Sequence, residues 1–600
     1  MLAVSVKNLS FTYPQQQEQA AHPILHNVSF DVPTGAFTLL CGRTGSGKTT
    51  LLRHLVPALT PHGKRSGQLV IAGAEIDHTS NDIPPRHPGP RPGISAPDAL
   101  PEKGKTCTSV GFVQQDPDNQ IVTDIVFHEL AFALENQGLP TATIRRRVAE
   151  VASYFGLEYL LESSTHTLSG GQKQILNLAA TIVSDPRILV LDEPTAELDP
   201  IATQNFLRHL SRVNKELGTT VICCEHRLDE VLTLCDQVLL LNDAHIGRRE
   251  AAEQVQTFTS QEFVTSCAST HKDLISFLPE PAQVAIACTK SDDELWPLDV
   301  KSGRAWLSSF LQSKPYSFNV QIHPITPKDK NAVILRDLSF KYAKHDPFVL
   351  KHLSASFERG RIHGIVGGNA SGKSTLLSVI CDLLRPQFGK VRIDKQLRLA
   401  ALPQNPKASF VQDTVQEDLL GADSSITLDG VQLMAQHLNI DQLLDRHPFD
   451  LSGGEAQKAA LAKLLLLDPD VILLDEPTKG LDAQAKQEIG QIFTDLASQG
   501  KTLIVVTHDL SFAANYTQTC SLLANGEIIA RDETRAFFTG NNFYTTATNR
   551  MSRNIVDNCV TVDDLVAALA EDKADESASF TVDSAGQATI LTDPASEKAK

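Results

Sequence analysis

Two stretches of the sequence decide the fold, CGRTGSGKTT at residues 41–50 and VGGNASGKST at residues 366–375. Both contain the pattern GxxxxGK[ST]. Each follows an apolar run, FTLL or IHGIV, and precedes a helix-like stretch, TLLRHLV or TLLSVI. Glycines in such a loop allow backbone N–H groups to converge on an anion, and the following helix N-terminus adds the positive end of its dipole. The sequence therefore predicts two phosphate-binding loops in an α/β fold.

The side chains of these loops have predicted roles in binding ATP together with Mg²⁺. Lys48 and Lys373 would bring a positive charge to the β- and γ-phosphates. Thr49 and Ser374 would offer hydroxyl ligands to the metal ion. The other predicted ATP-binding residues of the loops are Gly42, Gly45, Gly47, Thr50, Gly367, Gly372 and Thr375.

Paired carboxylates follow two later apolar runs, RILVLDE at 187–193 and DVILLDE at 470–476. Continuous apolar runs are typical of parallel strands that helices cover on both faces. Asp192 and Asp475 are predicted to hold the Mg²⁺ shell. Glu193 and Glu476 are predicted to orient or deprotonate an attacking water. The alternative is that each acidic pair merely ends a strand at the solvent boundary.

A scan for internal repeats indicates a duplicated domain. Besides the loops and the LDEPT segments, LSGGQKQ (168–174) returns as LSGGEAQ (451–457), and TTVICCEHRL (219–228) returns as KTLIVVTHDL (501–510). We predict four segments: a first domain at 1–250, a connector at 251–330, a second domain at 331–545 and an acidic, disordered tail at 546–600. The proline-rich stretch at 84–101 is interpreted as a surface loop inserted in the first domain.

Composition limits the possible partners. A net charge of -17 and a pI near 5.6 argue against a general nucleic-acid surface. No run reaches the roughly 18 apolar residues that can span a bilayer, and the N-terminus lacks the pattern of a signal peptide. The ten cysteines are scattered without a CxxC pair, which favours buried, reduced thiols. We therefore expect a cytoplasmic chain.

The ordered motifs resemble those of the ATP-binding-cassette (ABC) ATPases over most of residues 1–250 and 331–545. The resemblance implies two tandem P-loop domains, each a mainly parallel sheet flanked by helices with an antiparallel β-subdomain and a helical subdomain. It also implies ATP hydrolysis and assigns further site residues in pairs. These are Tyr13 and Tyr342 for stacking on adenine, Gln115 and Gln404 for linking Mg²⁺ and the attacking water to a transport partner, and His226 and His508 for contacting the γ-phosphate. Gln114 is an alternative to Gln115, which we favour because QDP aligns with QNP.

The LSGG segments supply the remaining predicted nucleotide contacts. In the family that the motifs resemble, two cassettes form a head-to-tail sandwich, so this chain is expected to form an intramolecular pseudo-dimer. ATP on Lys48 would then be completed by Ser452, Gly453 and Gly454, and ATP on Lys373 by Ser169, Gly170 and Gly171. Because both copies keep the glutamate, the histidine and the LSGG core, we predict two hydrolysing composite sites.

Three classes of function are considered for the process that ATP hydrolysis drives. The stretch VGFVQQDPDNQIVTDIVFHELAFALENQGLP (110–140) resembles the energy-coupling-factor (ECF) importers of vitamins and metal ions. That resemblance implies integral membrane partners, an ECF-type transmembrane protein and a substrate-binding component, with this chain peripheral at the cytoplasmic face of the membrane. A twin-cassette ATPase that acts on the ribosome is the alternative. DNA repair is disfavoured because no long coiled coil interrupts a cassette.

Acidic side chains after each glutamine provide a possible partner surface. They are Asp124, Glu129 and Glu135 in the first copy and Asp413, Glu417 and Asp418 in the second. These residues are predicted to receive basic helices of a membrane subunit or, alternatively, to form the solvated faces of surface helices.

Overall fold

The computed structural model describes residues 1–14, 23–43, 45–76, 109–196, 198–226, 228–242, 254–289, 295–312, 330–570, 579–582 and 588–591. The chain divides into two units, Met1–Ser266 and Cys267–Lys600. The proline-rich stretch at 84–101, predicted to be a surface loop, lies outside the described residues. None of the helices in the described ranges has the length and apolar character needed to cross a membrane.

The first unit contains two sheets. An antiparallel sheet has the strand order β2-β1-β4-β5, and a six-stranded sheet has the order β10-β9-β3-β8-β7-β6. All neighbouring strands of the second sheet are parallel except the edge strand β10. The strands are β1 (Leu2–Thr12), β2 (Leu25–Pro33), β3 (Phe37–Cys41), β4 (Lys64–Ile71), β5 (Ala74–Glu75), β6 (Val110–Val113), β7 (Ile188–Asp192), β8 (Thr220–Cys224), β9 (Gln237–Leu241) and β10 (Val255–Phe258).

Helices of the first unit connect the parallel strands. Every residue of β3, β7 and β8 is buried, as expected for strands covered on both faces. The helices are α1 (Lys48–His54), α2 (Val126–Asn136), α3 (Thr141–Phe155), α4 (Gly170–Ile182), α5 (Pro200–Leu217), α6 (Leu228–Val231) and α7 (Ser260–Ser269), of which α7 runs across the boundary to the second unit.

The second unit repeats this plan. Its antiparallel sheet has the order β12-β11-β14, and its six-stranded sheet has the order β15-β16-β17-β13-β18-β19 with only β19 antiparallel to its neighbour. The strands are β11 (Asn331–Phe340), β12 (Leu350–Glu358), β13 (Ile362–Val366), β14 (Phe388–Ile393), β15 (Leu399–Leu402), β16 (Val471–Asp475), β17 (Thr502–Thr507), β18 (Thr519–Ala524) and β19 (Glu527–Glu533), followed by a hairpin of β20 (Ser579–Val582) and β21 (Ala588–Leu591).

The helices of the second unit fall into a cassette set and a flanking set. The flanking helices are α8 (Glu280–Cys288) and α9 (Val300–Gln312), with α17 (Ala547–Ser552) and α18 (Val562–Leu569). The cassette helices are α10 (Lys373–Ile380), α11 (Val415–Leu420), α12 (Leu428–His437), α13 (Gly453–Leu466), α14 (Ala483–Ser498), α15 (Leu510–Tyr516) and α16 (Thr534–Gly540). The predicted fold class, two tandem α/β cassettes each with an antiparallel β-subdomain, is confirmed.

The flanking helices α8, α9, α17 and α18 have a small core of their own. Val284 and Leu307 from the predicted connector are buried with Met551 and Leu565 from the predicted tail. Gly303 permits the close approach, because a Cβ atom at this position would lie 2.5 Å from the sulfur of Met551. These four helices, named here the connector–tail helices, therefore form a packed element.

The predicted boundaries at the connector and the tail need correction. The described residues between 251 and 330 do not form a single connector, since β10 extends the sheet of the first unit and α8 and α9 belong to the second. The prediction that disorder begins at residue 546 was wrong for residues 546–570. Averaging composition over the whole tail hid the apolar residues of α17 and α18, which share a buried core with the distant connector segment.

Candidate functional site

The two phosphate-binding loops lie between a buried strand and a helix, as predicted. β3 leads into α1 in the first unit, and β13 leads into α10 in the second. A Cβ atom at Gly42 would approach Leu241 O to 2.3 Å, and one at Gly367 would approach Leu523 O to 2.3 Å. Glycine is therefore required at the first loop position in both units, because the backbone of the neighbouring strand leaves no space for a side chain.

The loop lysines point back over their own loops. Lys48 Nζ donates to Gly42 O at 3.0 Å and to Arg43 O at 2.9 Å. Lys373 Nζ donates to the carbonyls of Gly367 and Gly368, both at 3.0 Å. Both lysines are buried. Each ammonium group is thus held inside the curve of a loop, the place that a phosphate-binding lysine occupies.

The loop hydroxyls meet the strand carboxylates. Thr49 Oγ1 donates to Asp192 Oδ1 at 3.3 Å, and Ser374 hydrogen-bonds to the carboxyl of Asp475. Burial, followed by the charge of Glu193, raises the pKa of Asp192 to about 6. Burial likewise raises the pKa of Asp475.

This donor set fits Mg²⁺, which prefers hydroxyl, carboxylate and water oxygens. Asp475 Oδ1 is buried without a hydrogen-bond partner among the described residues, and an orphaned carboxylate oxygen suits a metal ligand. Thr49 with Asp192, and Ser374 with Asp475, are therefore the residues that would hold the ion, which supplies charge neutralisation to the bound phosphates.

Each predicted catalytic glutamate contacts the histidine that was predicted from the same repeat. His226 Nε2 lies 2.7 Å from Glu193 Oε1, and His508 Nδ1 lies 2.8 Å from Glu476 Oε2. Glu193 has φ 47° and Glu476 has φ 49°. Such left-handed backbone is costly for a residue with a side chain and clusters at functional sites. The pairing therefore supports a functional role for both glutamates.

The charge of Glu476 is stabilised by its neighbours. Burial acts to raise its pKa, but the charges and hydrogen bonds of His508 and the charge of Lys373 outweigh burial and hold the pKa below its ordinary value. Lys373 Nζ lies 3.8 Å from Glu476 Oε1. The carboxylate is therefore in the ionised form that a general base requires.

The predicted adenine-stacking tyrosines are next to the loops. Tyr13 Oη is 3.3 Å from Thr50 Oγ1, and Tyr342 Oη is 2.9 Å from Thr375 Oγ1. The hydroxyl contact holds each ring beside the first turn of the helix that follows the loop, α1 or α10. Both tyrosines keep part of their surface accessible, so their stacking role stays a prediction with suitable geometry.

The glutamine positions agree between the repeats. Gln115 and Gln404 directly precede the capping residues Asp116 and Asn405 of two short 3₁₀ turns, so Gln115 is the counterpart of Gln404. The backbone of Gln114 instead bonds to the side chains of Gln120 and Gln174. Within the described parts of the chain, neither Gln115 nor Gln404 is brought into contact with the loop lysines or strand carboxylates.

The LSGG serines cap the helices that follow them. Ser169 Oγ accepts from the backbone of Gln172 at 3.3 Å, and Ser452 Oγ accepts from that of Glu455 at 3.4 Å. The side chains of Gln172 and Glu455 bond back to the serine backbones, which completes a capping box in both units. Sequence reasoning missed these two partners, although serine followed three residues later by glutamine or glutamate is a capping-box signal.

Two of the acidic residues predicted to receive a partner are buried instead. Glu129, 6% exposed, accepts from the backbone of Val122 and Thr123. Asp418, 2% exposed, accepts from the backbone of Val411 and Gln412. This part of the prediction was wrong, because both carboxylates are consumed in holding a loop. The other members of the set, Asp124, Glu135, Asp413 and Glu417, are exposed.

Comparison with known proteins identifies the family of the chain. The ABC transporter family matches residues 25–196 and 350–479. The chain is 38% identical to a candidate ABC transporter ATP-binding protein of Bacillus anthracis, with 94% of this chain and 98% of the relative covered. It is 29% identical to a candidate HMP/thiamine import ATP-binding protein of Bacillus subtilis, with 87% and 89% covered.

A solved structure gives the same fold. It is described as ribosome-bound archaeal Pelota and ABCE1, and the alignment covers 97% of this chain and 83% of that one with a TM-score of 0.55. At 19% identity the likeness concerns the fold alone. The family match and the 38% identity over 94% of the chain show that the chain belongs to the ABC transporter family, as an ATP-hydrolysing polypeptide with two cassettes.

Proposed function

We propose that the chain is the ATP-binding and ATP-hydrolysing subunit of an ECF-type importer of a vitamin or metal ion. It would lie at the cytoplasmic face of the membrane, bound to a transmembrane subunit and a substrate-binding component. The observation that carries the proposal is a pair of similar loops, at residues 120–124 and 410–413. Each loop directly follows the 3₁₀ turn that comes after a predicted glutamine, and each exposes an apolar side chain.

The two loops are built alike. Each loop exposes a valine, Val122 at 67% and Val411 at 82%. The backbone N–H of each valine donates to a buried carboxylate seven residues later in the chain, Glu129 or Asp418. In the second unit Lys463 also pairs with Asp418 at 3.0 Å. A loop held by a buried carboxylate is ordered before binding, which lowers the entropic cost of association. An exposed valine on such a loop suits a helix of a membrane subunit that presents an apolar contact.

Similarity to the candidate HMP/thiamine import ATP-binding protein over 87% of the chain supports import as the direction of transport and a vitamin as the class of substrate. Within each cassette, Glu193 or Glu476 would orient or deprotonate the attacking water, and His226 or His508 would hold the glutamate in place. We keep the sequence-based prediction that Ser169 completes the site of Lys373 and that Ser452 completes the site of Lys48.

The alternative is a twin-cassette ATPase that acts on the ribosome. The fold likeness to ribosome-bound ABCE1 is compatible with it, but a net charge of -17 opposes binding to a polyanion. Co-purification from detergent-solubilised membranes separates the two proposals. Recovery of integral membrane subunits is the expected result, and recovery of ribosomal particles instead would contradict the transport proposal.

The contribution of the loops can be measured in the same experiment. Val122→Asp combined with Val411→Asp should reduce recovery of the membrane subunits at least about tenfold, because a charge replaces an apolar contact at each loop. Leu383→Asp is the matched control, since Leu383 is similarly exposed but lies beyond the loop helix α10. Equal recovery with the double variant and the control would contradict docking at these loops.

A further inference from the structure

A thiol lies beside the metal-binding carboxylates of the first cassette. Asp192 at the end of β7 pairs with Cys224 at the end of β8 in the parallel register. Ligand atoms of Asp192, Glu193 and Cys224 all lie within 4.8 Å of one another. The backbone adds to this proximity, because Glu193 N donates to Cys224 O at 3.0 Å.

The second cassette lacks this thiol. In its register Asp475 pairs with Val506, which occupies the position of Cys224. Glu476 N donates to Val506 O at 2.9 Å, so the backbone geometry is the same in both units. At this strand position the first cassette therefore has a thiol, and the second has the two methyl groups of valine.

The donor set of the first cassette differs in chemistry from an all-oxygen Mg²⁺ site. Thiolate ligands select soft cations such as Zn²⁺ and Cd²⁺ over Mg²⁺. Two carboxylates and one thiolate give three protein ligands and leave a fourth position open, which is the arrangement of non-structural zinc sites. His226, at 2.7 Å from Glu193, would orient one of the carboxylate ligands.

We propose that the first cassette, and not the second, binds a thiophilic divalent cation through Asp192, Glu193 and Cys224. Binding forms a bond between the metal and Sγ, and the thiol proton is released to solvent. No oxidation or reduction takes place. Because Asp192 is also the predicted Mg²⁺ ligand, the soft cation excludes Mg²⁺ from this cassette alone. The proposal concerns the nucleotide-free chain and does not depend on transport.

The experiment titrates the full, reduced, nucleotide-free chain with Cd²⁺ and follows the ultraviolet absorption of the Cd²⁺–thiolate bond. Cys224→Val and Cys223→Val are compared with the unaltered chain. Each variant removes one of the ten cysteines, and each introduces the residue of the second cassette, Val506 or Val505. Cys223 is the matched control because neighbouring residues of a strand point to opposite faces.

We expect Cys224→Val to lower the affinity for the most tightly bound Cd²⁺ ion at least about tenfold. That value is the lower end of the loss in metal affinity seen when a residue that only supports a metal ligand is removed. Cys223→Val should leave the affinity for that Cd²⁺ ion unchanged. Equal Cd²⁺ binding by the two variants, whether retained or lost, would overturn the proposal.

A second variant keeps the test independent of any folding defect in the first. Val506→Cys should add a Cd²⁺ equivalent to the unaltered chain, because it places a thiol opposite Asp475 in the same register. If a folded Val506→Cys chain binds no additional Cd²⁺ ion, a thiol opposite the strand aspartate does not create a cation site. The proposal would then fail.

Discussion

Glu193 and His226 are in direct contact, with Glu193 Oε1 2.7 Å from the imidazole Nε2. The glutamate is the residue directly after β7 and the histidine lies beyond β8, so the contact depends on the pairing of these parallel strands. The second cassette repeats the contact between Glu476 and His508 through the other ring nitrogen, Nδ1. The two sites therefore share one plan but differ in the orientation of the imidazole.

Replacing both glutamates should separate binding from hydrolysis. In Glu193→Gln combined with Glu476→Gln, the loop lysines keep their positions, so ATP binding should persist. Hydrolysis should fall at least about a hundredfold, because an amide cannot accept the proton of water. Phosphate release and equilibrium nucleotide binding measure the two effects.

The single variants are the controls for this change. Each single variant should retain turnover at the unaltered cassette. Appreciable hydrolysis by the purified double variant would refute the assignment of Glu193 and Glu476 as the residues that act on water.

The crossed pairing predicted from the sequence can be tested at one serine. Ser169→Arg should impair trapping of the nucleotide on Lys373 more than trapping on Lys48, because the bulky side chain would obstruct the shared phosphate. Site-resolved nucleotide trapping measures the difference.

Ser169→Asn controls for the helix cap in that experiment. Asparagine is as good a capping residue as serine, so this variant separates loss of the cap of α4 from obstruction of the phosphate. A stronger effect of Ser169→Arg on the nucleotide held by Lys48 would contradict the crossed pairing.

His363 should make the second unit sensitive to acid. Burial, opposed only in part by a hydrogen bond to Glu358 O and reinforced by nearby arginines, lowers the pKa of His363 to about 4. The unfolded chain binds the proton near pH 6.5, so the unfolded state is favoured as pH falls from there. The stability lost between about pH 6.5 and about pH 4 is about 3 kcal/mol.

The measurement is chemical denaturation of the full chain at about pH 7 and about pH 5, a range in which histidine titrates when unfolded. His363→Gln removes the titrating group and should reduce the loss of stability on acidification. An unchanged pH dependence in this variant would exclude His363 as its source. The first cassette carries Thr38 at the equivalent buried strand position.

Glu280 should stabilise the connector–tail helices against α15. Its carboxylate accepts from the Ser511 hydroxyl and from Thr548, through the backbone N–H at 2.6 Å and Oγ1 at 2.8 Å. Glu280→Leu leaves the buried Thr548 groups without their acceptor, and the unfolding free energy of the second unit should fall by about 2–4 kcal/mol.

Glu527→Leu is the control for the loss of a carboxylate, because Glu527 is exposed at the start of β19. It should change the unfolding free energy by less than about 0.5 kcal/mol. Denaturant midpoints give both values, and a similar small change for Glu280→Leu would show that the three hydrogen bonds do not stabilise the second unit.

Sequence reasoning succeeded where chemistry is local. GxxxxGK[ST] identified both loops because the pattern lies within eight consecutive residues, and the ammonium groups of Lys48 and Lys373 donate to carbonyls of their own loops. Sequence reasoning failed where a side chain forms its hydrogen bonds with a distant or unexpected partner. Glu129 and Asp418 looked like surface charges, yet each is buried by the loop that it caps.

The sequence by itself determined the two loops, the paired carboxylates and their order along the chain, because each depends on neighbours within a few residues. Only the tertiary structure decided which groups face each other across strands. The parallel register places Cys224 opposite Asp192 and Val506 opposite Asp475, and helix packing joins residues near 280 to residues near 548. Such contacts arise when the whole chain buries its apolar surface, and no local pattern encodes them.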